Sequence, residues 1–194
     1  KYVGNSLEVI GSIEVLQGNG SSDTRELVVI QACSLLVQSG LYPNEQDAKK
    51  MIEQVLDNGA ALDYFKQMCT SQGVEIDIAE DLIEDPRNIL PTSKNTTILK
   101  SSKSGYVGSI NSMTLAEIAR AHGAGRFTIE DDIIPEIGFE ILIEQGQAIT
   151  EDQNWLVFHH NEQLTEDDFF KLSNSLEIVN QKPEQTSRLI SVIS

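Results

Sequence analysis

Asp85-Pro86-Arg87-Asn88-Ile89-Leu90-Pro91-Thr92-Ser93-Lys94-Asn95-Thr96-Thr97-Ile98-Leu99-Lys100 is the stretch where the hydrophobic period of the chain changes. Each proline lacks an amide donor and pushes the residue before it out of the helical region, so Asp85-Pro86 and Leu90-Pro91 break whatever helix precedes them. The run Thr96 to Lys100 that follows is β-branched and extended in character. Upstream, apolar residues recur every three or four positions; downstream, short alternating runs lie between turn residues. The boundary is therefore placed at Pro91. Residues 1–91 form a helical part and residues 92–194 a compact α+β unit, and the fold class is α/β, with α+β character in detail.

Within the helical part, Asn5 with Glu8 predicts a capped start, followed by Leu7, Ile10, Ile13 and Leu16 at helical spacing and a stop at Gly18-Asn19-Gly20. A second helix runs from Arg25 to Ser39 with Ser22 or Asp23 as its cap. Its apolar residues (Leu27, Val28, Val29, Ile30, Cys33, Leu35, Leu36, Val37) cover nearly every side, which predicts burial all round. Pro43-Asn44 with Asp47 opens a third helix with Ala48, Met51, Ile52, Val55 and Leu56 as its stripe, closed by Asn58-Gly59. A fourth spans about Ala60 to Ser71, with Leu62, Phe65, Met68 and Cys69 inward and Gly73 just past its end. A short fifth includes Ile78, Ala79, Leu82 and Ile83.

Beyond Pro91 the expected elements are a strand at Thr96–Lys100, a turn at Ser104-Gly105 and a strand at Tyr106–Ile110. A short helix follows, capped by Thr114 with Glu117 and ending at His122-Gly123. Strands are expected at Ile137–Ile143, before a Gln145-Gly146 turn, and at Trp155–His159. Thr165 with Asp168 caps a helix reaching about Val179, and Leu189–Ile193 reads as a closing strand.

The chain has 194 residues, 14 basic against 30 acidic side chains and a net charge of −16. At roughly 150 residues per domain this allows one large domain or two small ones. With 40% hydrophobic residues there is material for a core, and no run approaches the ~18 apolar residues of a membrane span. From Phe127 to Phe170 there are twelve carboxylates and no Lys or Arg, which excludes a nucleic-acid or anionic-membrane surface there. The first residue is Lys1 and Asn5 already looks like a cap, so the chain is expected to begin inside folded structure, with no leader and a cytoplasmic location. Cys33 and Cys69 lie in helical patterns and are expected as buried free thiols.

Residues that carry chemistry are sparse. Gly18-Asn-Gly-Ser-Ser22 precedes a helix start but lacks the phosphate-loop pattern, so it reads as a turn. His122-Gly-Ala-Gly-Arg126 could hold an anion through its guanidinium, or serve as a glycine C-cap with a structural arginine. His159 and His160 are adjacent, so on a strand they point to opposite faces and cannot chelate one ion together. His159 is expected in a core or interface and His160 on the other face. No zinc-ligand spacing and no nucleophile–base pair is present, so no catalytic, substrate-binding or metal-binding residue is assigned.

Several ordered segments carry a resemblance. Val3-Gly-Asn-Ser-Leu-Glu-Val9 resembles the V-G-N-A-L-E-V segment of the thymidine and pyrimidine-nucleoside phosphorylase family. Arg25-Glu-Leu27, Leu56-Asp-Asn-Gly59 and Ser104-Gly-Tyr-Val107 resemble that family's R-E-L, L-D-N-G and S/D-G-Y-V. Leu115 to Arg126, closing on Gly123-Ala-Gly-Arg126, resembles its helix and G-A-G-R, and Gly138 to Gly146 its V-G strand and turn. The similarity covers essentially the whole chain but only the C-terminal half of the family's enzymes.

The resemblance implies reversible phosphorolysis: a pyrimidine nucleoside and inorganic phosphate give free base and a pentose 1-phosphate, without a cofactor, in a homodimer. It implies that residues 1–91 are helices of the large domain and 92–194 a C-terminal domain with a carrier-like mixed sheet. The family's phosphate- and base-binding loops have no counterpart here, so this part is expected to be scaffold and cleft wall. The alternative is a non-catalytic binding or regulatory module derived from the family. Covalent carriage is excluded, because a carrier needs a hairpin lysine and none occurs from Ser104 to Phe170. Some relatives bind a monovalent cation through carbonyls and a glutamate whose position is Gly11 here, where Tyr2 offers only a carbonyl. Ile134 and Gln147 also stand where the family usually has Asp.

Overall fold

A computed structural model describes residues 1–184, 187 and 189. The described chain divides into two compact units: Lys1–Val9 with residues 90–184, and Ile10–Ile89. The α/β class holds, with helices concentrated before residue 90 and strands after it.

The helical unit contains most of α1 (Asn5–Leu16), then α2 (Ser22–Gln38), α3 (Glu45–Asp57), α4 (Ala60–Ser71), α5 (Ile76–Glu84) and the single turn α6 (Pro86–Ile89). Its core joins Val29 and Cys33 of α2 to Ala48, Ile52 and Leu56 of α3. The expected stripe of α3 thus faces inward on three of its five positions, while Met51 is exposed. The Asn44 side chain accepts from the Asp47 amide, as the sequence predicts. At the end of α4 the Gly73 amide bonds to the Thr70 carbonyl and the Val74 amide to the Cys69 carbonyl. With Gly73 at φ +99°, this is a Schellman closure.

Two expectations for this unit are corrected. Helix α2 is not buried all round: Leu27 and Val28 are exposed, and Leu35 is 70% exposed. Its apolar residues do circle the helix, but the described residues of the unit cover chiefly the side turned toward α3. Helix α4 has no fully buried residue, and Met68 is exposed.

The second unit holds two antiparallel sheets rather than a single mixed one. The first has strand order β1 (Tyr2–Val3), β4 (Gly138–Ile141), β6 (Asn154–His160), β2 (Asn95–Lys100). The second is β5 (Ala148–Ile149), β3 (Gly105–Ile110), β7 (Leu176–Val179). The strands on either side of Ser104-Gly105 therefore belong to different sheets: β2 pairs with β6 and β3 with β7. Phe139 lies opposite Phe158 in the β4–β6 register, and their rings stack at 4.3 Å. Around them Leu99, Val107, Leu115, Ile137, Trp155, Leu156 and Leu172 form one core, each at most 2% exposed.

Helix α7 (Ser112–Ala119) runs into a π-type turn, Arg120–Ala124, in which Gly123 takes φ +105°. Its cap is Asn111, which accepts from the Thr114 amide, so Thr114 is a capped residue and not the cap. Helix α8 (Glu166–Ser173) has the predicted Thr165/Asp168 capping box. It stops at Ser173, however, and the apolar run to Val179 is strand β7, drawn into the ladder by β3. The expected closing strand at Leu189–Ile193 lies, but for Leu189, outside the described residues.

Candidate functional site

The segments quoted above as ordered motifs meet in pairs, and each pair closes a packing contact. Gly4 lies at φ +120°, and a Cβ on it would stand 2.5 Å from the Ile137 carbonyl oxygen and 2.8 Å from the Gly138 Cα. The two backbones can approach this closely beside the β1–β4 pairing only where neither residue bears a side chain. Asn5 does not cap α1 as expected. Its amide nitrogen donates to the Ala124 carbonyl at 2.8 Å, which ties the start of α1 to the Gly-Ala-Gly-Arg turn 119 residues away. The cap position falls to Gly4, whose amide donates to Glu8 Oε1.

The other motifs behave likewise. Arg25 reaches Asp57 at 2.7 Å, joining the Arg-Glu-Leu and Leu-Asp-Asn-Gly segments across α2 and α3. Gly105 lies so close to β7 that a Cβ would be 2.7 Å from the Val179 carbonyl oxygen, and Val107 beside it is fully buried. Gly20 packs on Val15, so the Gly18–Ser22 stretch is the turn that the sequence suggested.

The three histidines fall in one neighbourhood but not in one site. On β6, Leu156, Phe158 and His160 face the core, whereas His159 faces outward, the reverse of the expected assignment. His160 is 5% exposed and satisfied at both nitrogens. Nδ1–H donates to the Glu162 carbonyl at 2.7 Å, and Nε2 lies 2.9 Å from the Thr97 hydroxyl. His159 has Glu140 Oε1 at 3.2 Å from Nε2, off the line of a hydrogen bond, and Ser93 Oγ at 3.5 Å from Nδ1. The Ser93 hydroxyl gives its hydrogen to the Asn95 carbonyl, so this serine–histidine–carboxylate row lacks an activated nucleophile.

His122 sits in the 120–124 turn with its ring edge on Phe158, at a centroid distance of 5.1 Å. Its Nε2 lies 3.3 Å from Asp168 Oδ2, and the two side chains are only 10% and 18% exposed. Burial opposes ionisation of Asp168, but hydrogen bonds from the Thr165 hydroxyl, His122 and the Thr165 amide outweigh it and hold the carboxyl below its usual range. The Thr165-x-x-Asp168 spacing is legible in the sequence; the histidine 46 residues earlier is not.

Arg120 stacks on Phe127 at 4.4 Å, and Asp131 accepts from the Phe127 and Thr128 amides and the Thr128 hydroxyl. The Thr128 amide is the main reason that the Asp131 carboxyl lies below its usual value, followed by the Thr128 hydroxyl and the Phe127 amide. Ile134 packs on Gly123 and donates its amide to the Gly123 carbonyl at 2.8 Å. Gln147 accepts from the Glu144 amide at 2.9 Å and so closes the turn after Gly146. Both cysteines are free, and Cys33 is buried. Among the described residues no cluster of three or more His, Cys, Asp or Glu side chains is placed to hold a metal ion. No helix of those residues is long and apolar enough to cross a membrane.

Residues 106–179 match the family model described as pyrimidine nucleoside phosphorylase C-terminal domain. A pyrimidine-nucleoside phosphorylase of Staphylococcus aureus (strain bovine RF122 / ET3-1) is 32% identical over 180 residues, covering 93% of this chain and 40% of the relative. The pyrimidine-nucleoside phosphorylase of Staphylococcus haemolyticus (strain JCSC1435) is 28% identical over 186 residues, covering 96% of this chain and 42% of the relative. The chain thus spans about 40% of the length of the curated relatives it matches. Residues 106–179 carry the C-terminal domain of pyrimidine-nucleoside phosphorylases, and the chain is similar to such enzymes over nearly its whole length.

Proposed function

We propose that the chain is scaffold and cleft wall of a pyrimidine-nucleoside phosphorylase. The parent reaction is reversible phosphorolysis of a pyrimidine nucleoside to free base and pentose 1-phosphate. Residues 1–91 then belong to the large domain and 92–194 form the C-terminal domain. Inorganic phosphate is the co-substrate, no cofactor takes part, and the enzyme works as a cytoplasmic homodimer. Neither nucleic acid nor membrane is a partner.

The observation that carries the scaffold reading is the way the motifs are used. Asn5 is spent on Ala124, Arg25 on Asp57, and Gly4 on the close approach to Gly138, so the matched residues close the fold rather than converge on a reacting group. Phosphorolysis needs cationic and hydroxyl groups that hold a dianion dry against an anomeric carbon. Arg126, the one guanidinium in the glycine turn, is exposed.

A chimera tests the reading. This chain replaces the matched 40% of the Staphylococcus aureus relative. Phosphate-dependent release of uracil from uridine by the chimera supports a scaffold role. A chimera that folds and dimerises yet releases none points to the alternative, a non-catalytic module of the same family.

A further inference from the structure

A largely shielded polar contact in the second unit ties α8 to the 120–124 turn, and one of its members is a histidine. His122 and Asp168 are both largely shielded from solvent and lie 3.3 Å apart. The carboxylate is fixed in place by Thr165, whose hydroxyl donates to the same oxygen at 2.7 Å. The imidazole is fixed by its edge contact with Phe158, at the centre of the core. Histidine is the side chain whose charge ordinarily changes between about pH 5 and 8. A contact made by two such constrained groups therefore changes its nature across that interval without changing its geometry.

We propose that His122 and Asp168 form a proton-operated latch. With the imidazole protonated, an ion pair holds α8 on the 120–124 turn; with it neutral, a hydrogen bond from the ring N–H to the ionised Asp168 carboxylate does so. The elements packed around the ring leave Asp168 as its direct charged partner. On α8, Lys171 is engaged by Asp167 at 2.6 Å. On α7, Glu117 acts toward Lys171. In the turn itself, Arg120 is stacked on Phe127. On β6, His160 lies beyond Phe158, with both of its nitrogens engaged by Thr97 and Glu162.

The latch matters because of what each side carries. Helix α8 buries Leu172 completely, and the turn supplies the Ala124 carbonyl that fixes Asn5. The latched state is strongest where Asp168 is ionised and His122 protonated. It weakens once the imidazole gives up its proton, and local opening of α8 becomes more frequent.

Amide hydrogen exchange of α8 in the 194-residue chain tests this, at pH 5.5 and pH 8 after correction for intrinsic rates. The expected result is about three-fold lower protection of the α8 amides at the higher pH, on the scale of a partly exposed ion pair. The His122→Gln variant, which keeps a neutral donor, should show no such difference. Equal protection of the wild-type helix at both values, or a pH dependence that survives in the variant, overturns the proposal. Should the variant not fold, the wild-type ring is titrated by NMR. The Thr165 and Asp168 amide resonances must then follow the His122 ring, and their failure to move overturns it equally.

Discussion

Gly4 and Gly138 lie against each other with no room for a side chain on either, where the chain leaves β1, paired antiparallel with β4, and turns into α1. A Cβ on Gly4 would sit 2.8 Å from the Gly138 Cα, and one on Gly138 would be 3.1 Å from the Gly4 Cα. Gly4 also holds φ +120°, which an L-residue rarely adopts. The first motif of the chain is thereby joined to the strand that begins 134 residues later.

Gly138→Ala and Gly4→Ala should each lower stability by about 2 kcal/mol or more, because the obstructing atoms are backbone and cannot step aside. Gly40→Ala serves as the control, since a Cβ there meets nothing within 4 Å and only its φ of +73° opposes the change. Urea unfolding of the three variants measures this. Losses at Gly4 and Gly138 no larger than at Gly40 would contradict the close approach.

Thr165→Ala removes the α8 cap, which donates to Asp168 and accepts from its amide at 3.1 Å. The expected cost is about 1 kcal/mol, with loss of exchange protection confined first to α8. Thr114→Ala, by contrast, should be close to neutral, because the cap of α7 is Asn111.

Acid unfolding should report on Asp168. Its folded-state value lies below that of an unfolded carboxyl, about 3.9, so its contribution is fully present above that pH and drains away as pH falls through the folded value. Urea midpoints between pH 2 and 6 should fall more steeply in the wild type than in Asp168→Asn. Parallel curves would mean that the hydrogen bonds from Thr165 and His122 do not favour the charged form.

The two thiols should separate by reactivity. Burial, with Glu45 adding to it, pushes the Cys33 thiol up, and the thiolate is the reacting species. An aromatic disulfide reagent at pH 8 should label one thiol per native chain, at Cys69, and reach Cys33 only after denaturant is added. Simultaneous labelling of both would show that the α2–α3 core opens readily.

Local signals were legible wherever a short segment settles its own structure. Asn44 with Asp47, Thr165 with Asp168, and Gly73 after α4 are contacts within four residues, and all three form as the sequence implies. Asn5 and Thr114 were misleading for a different reason. Asn5 has a better partner far away in sequence, and Asn111, three residues before the sequence-based cap Thr114, is the one that immediately precedes α7. The run after Ser173 is apolar and short, so its period does not separate helix from strand; pairing of Leu176–Val179 with β3 decides it. On β6 the alternation of His159 and His160 was correct, but which face is the core depends on register with Phe139. The His122–Asp168 contact has no sequence signature, because it joins a turn to a helix cap across Phe158.

In the proposed scaffold role the chain supplies structure to a phosphorylase rather than its reacting groups. The direct measurement is phosphate-dependent release of thymine or uracil from thymidine or uridine by the purified 194-residue chain, followed by chromatography at saturating phosphate. The scaffold role gives no release above a heat-denatured control. Turnover that rises with phosphate and scales with the concentration of the chain alone would contradict it.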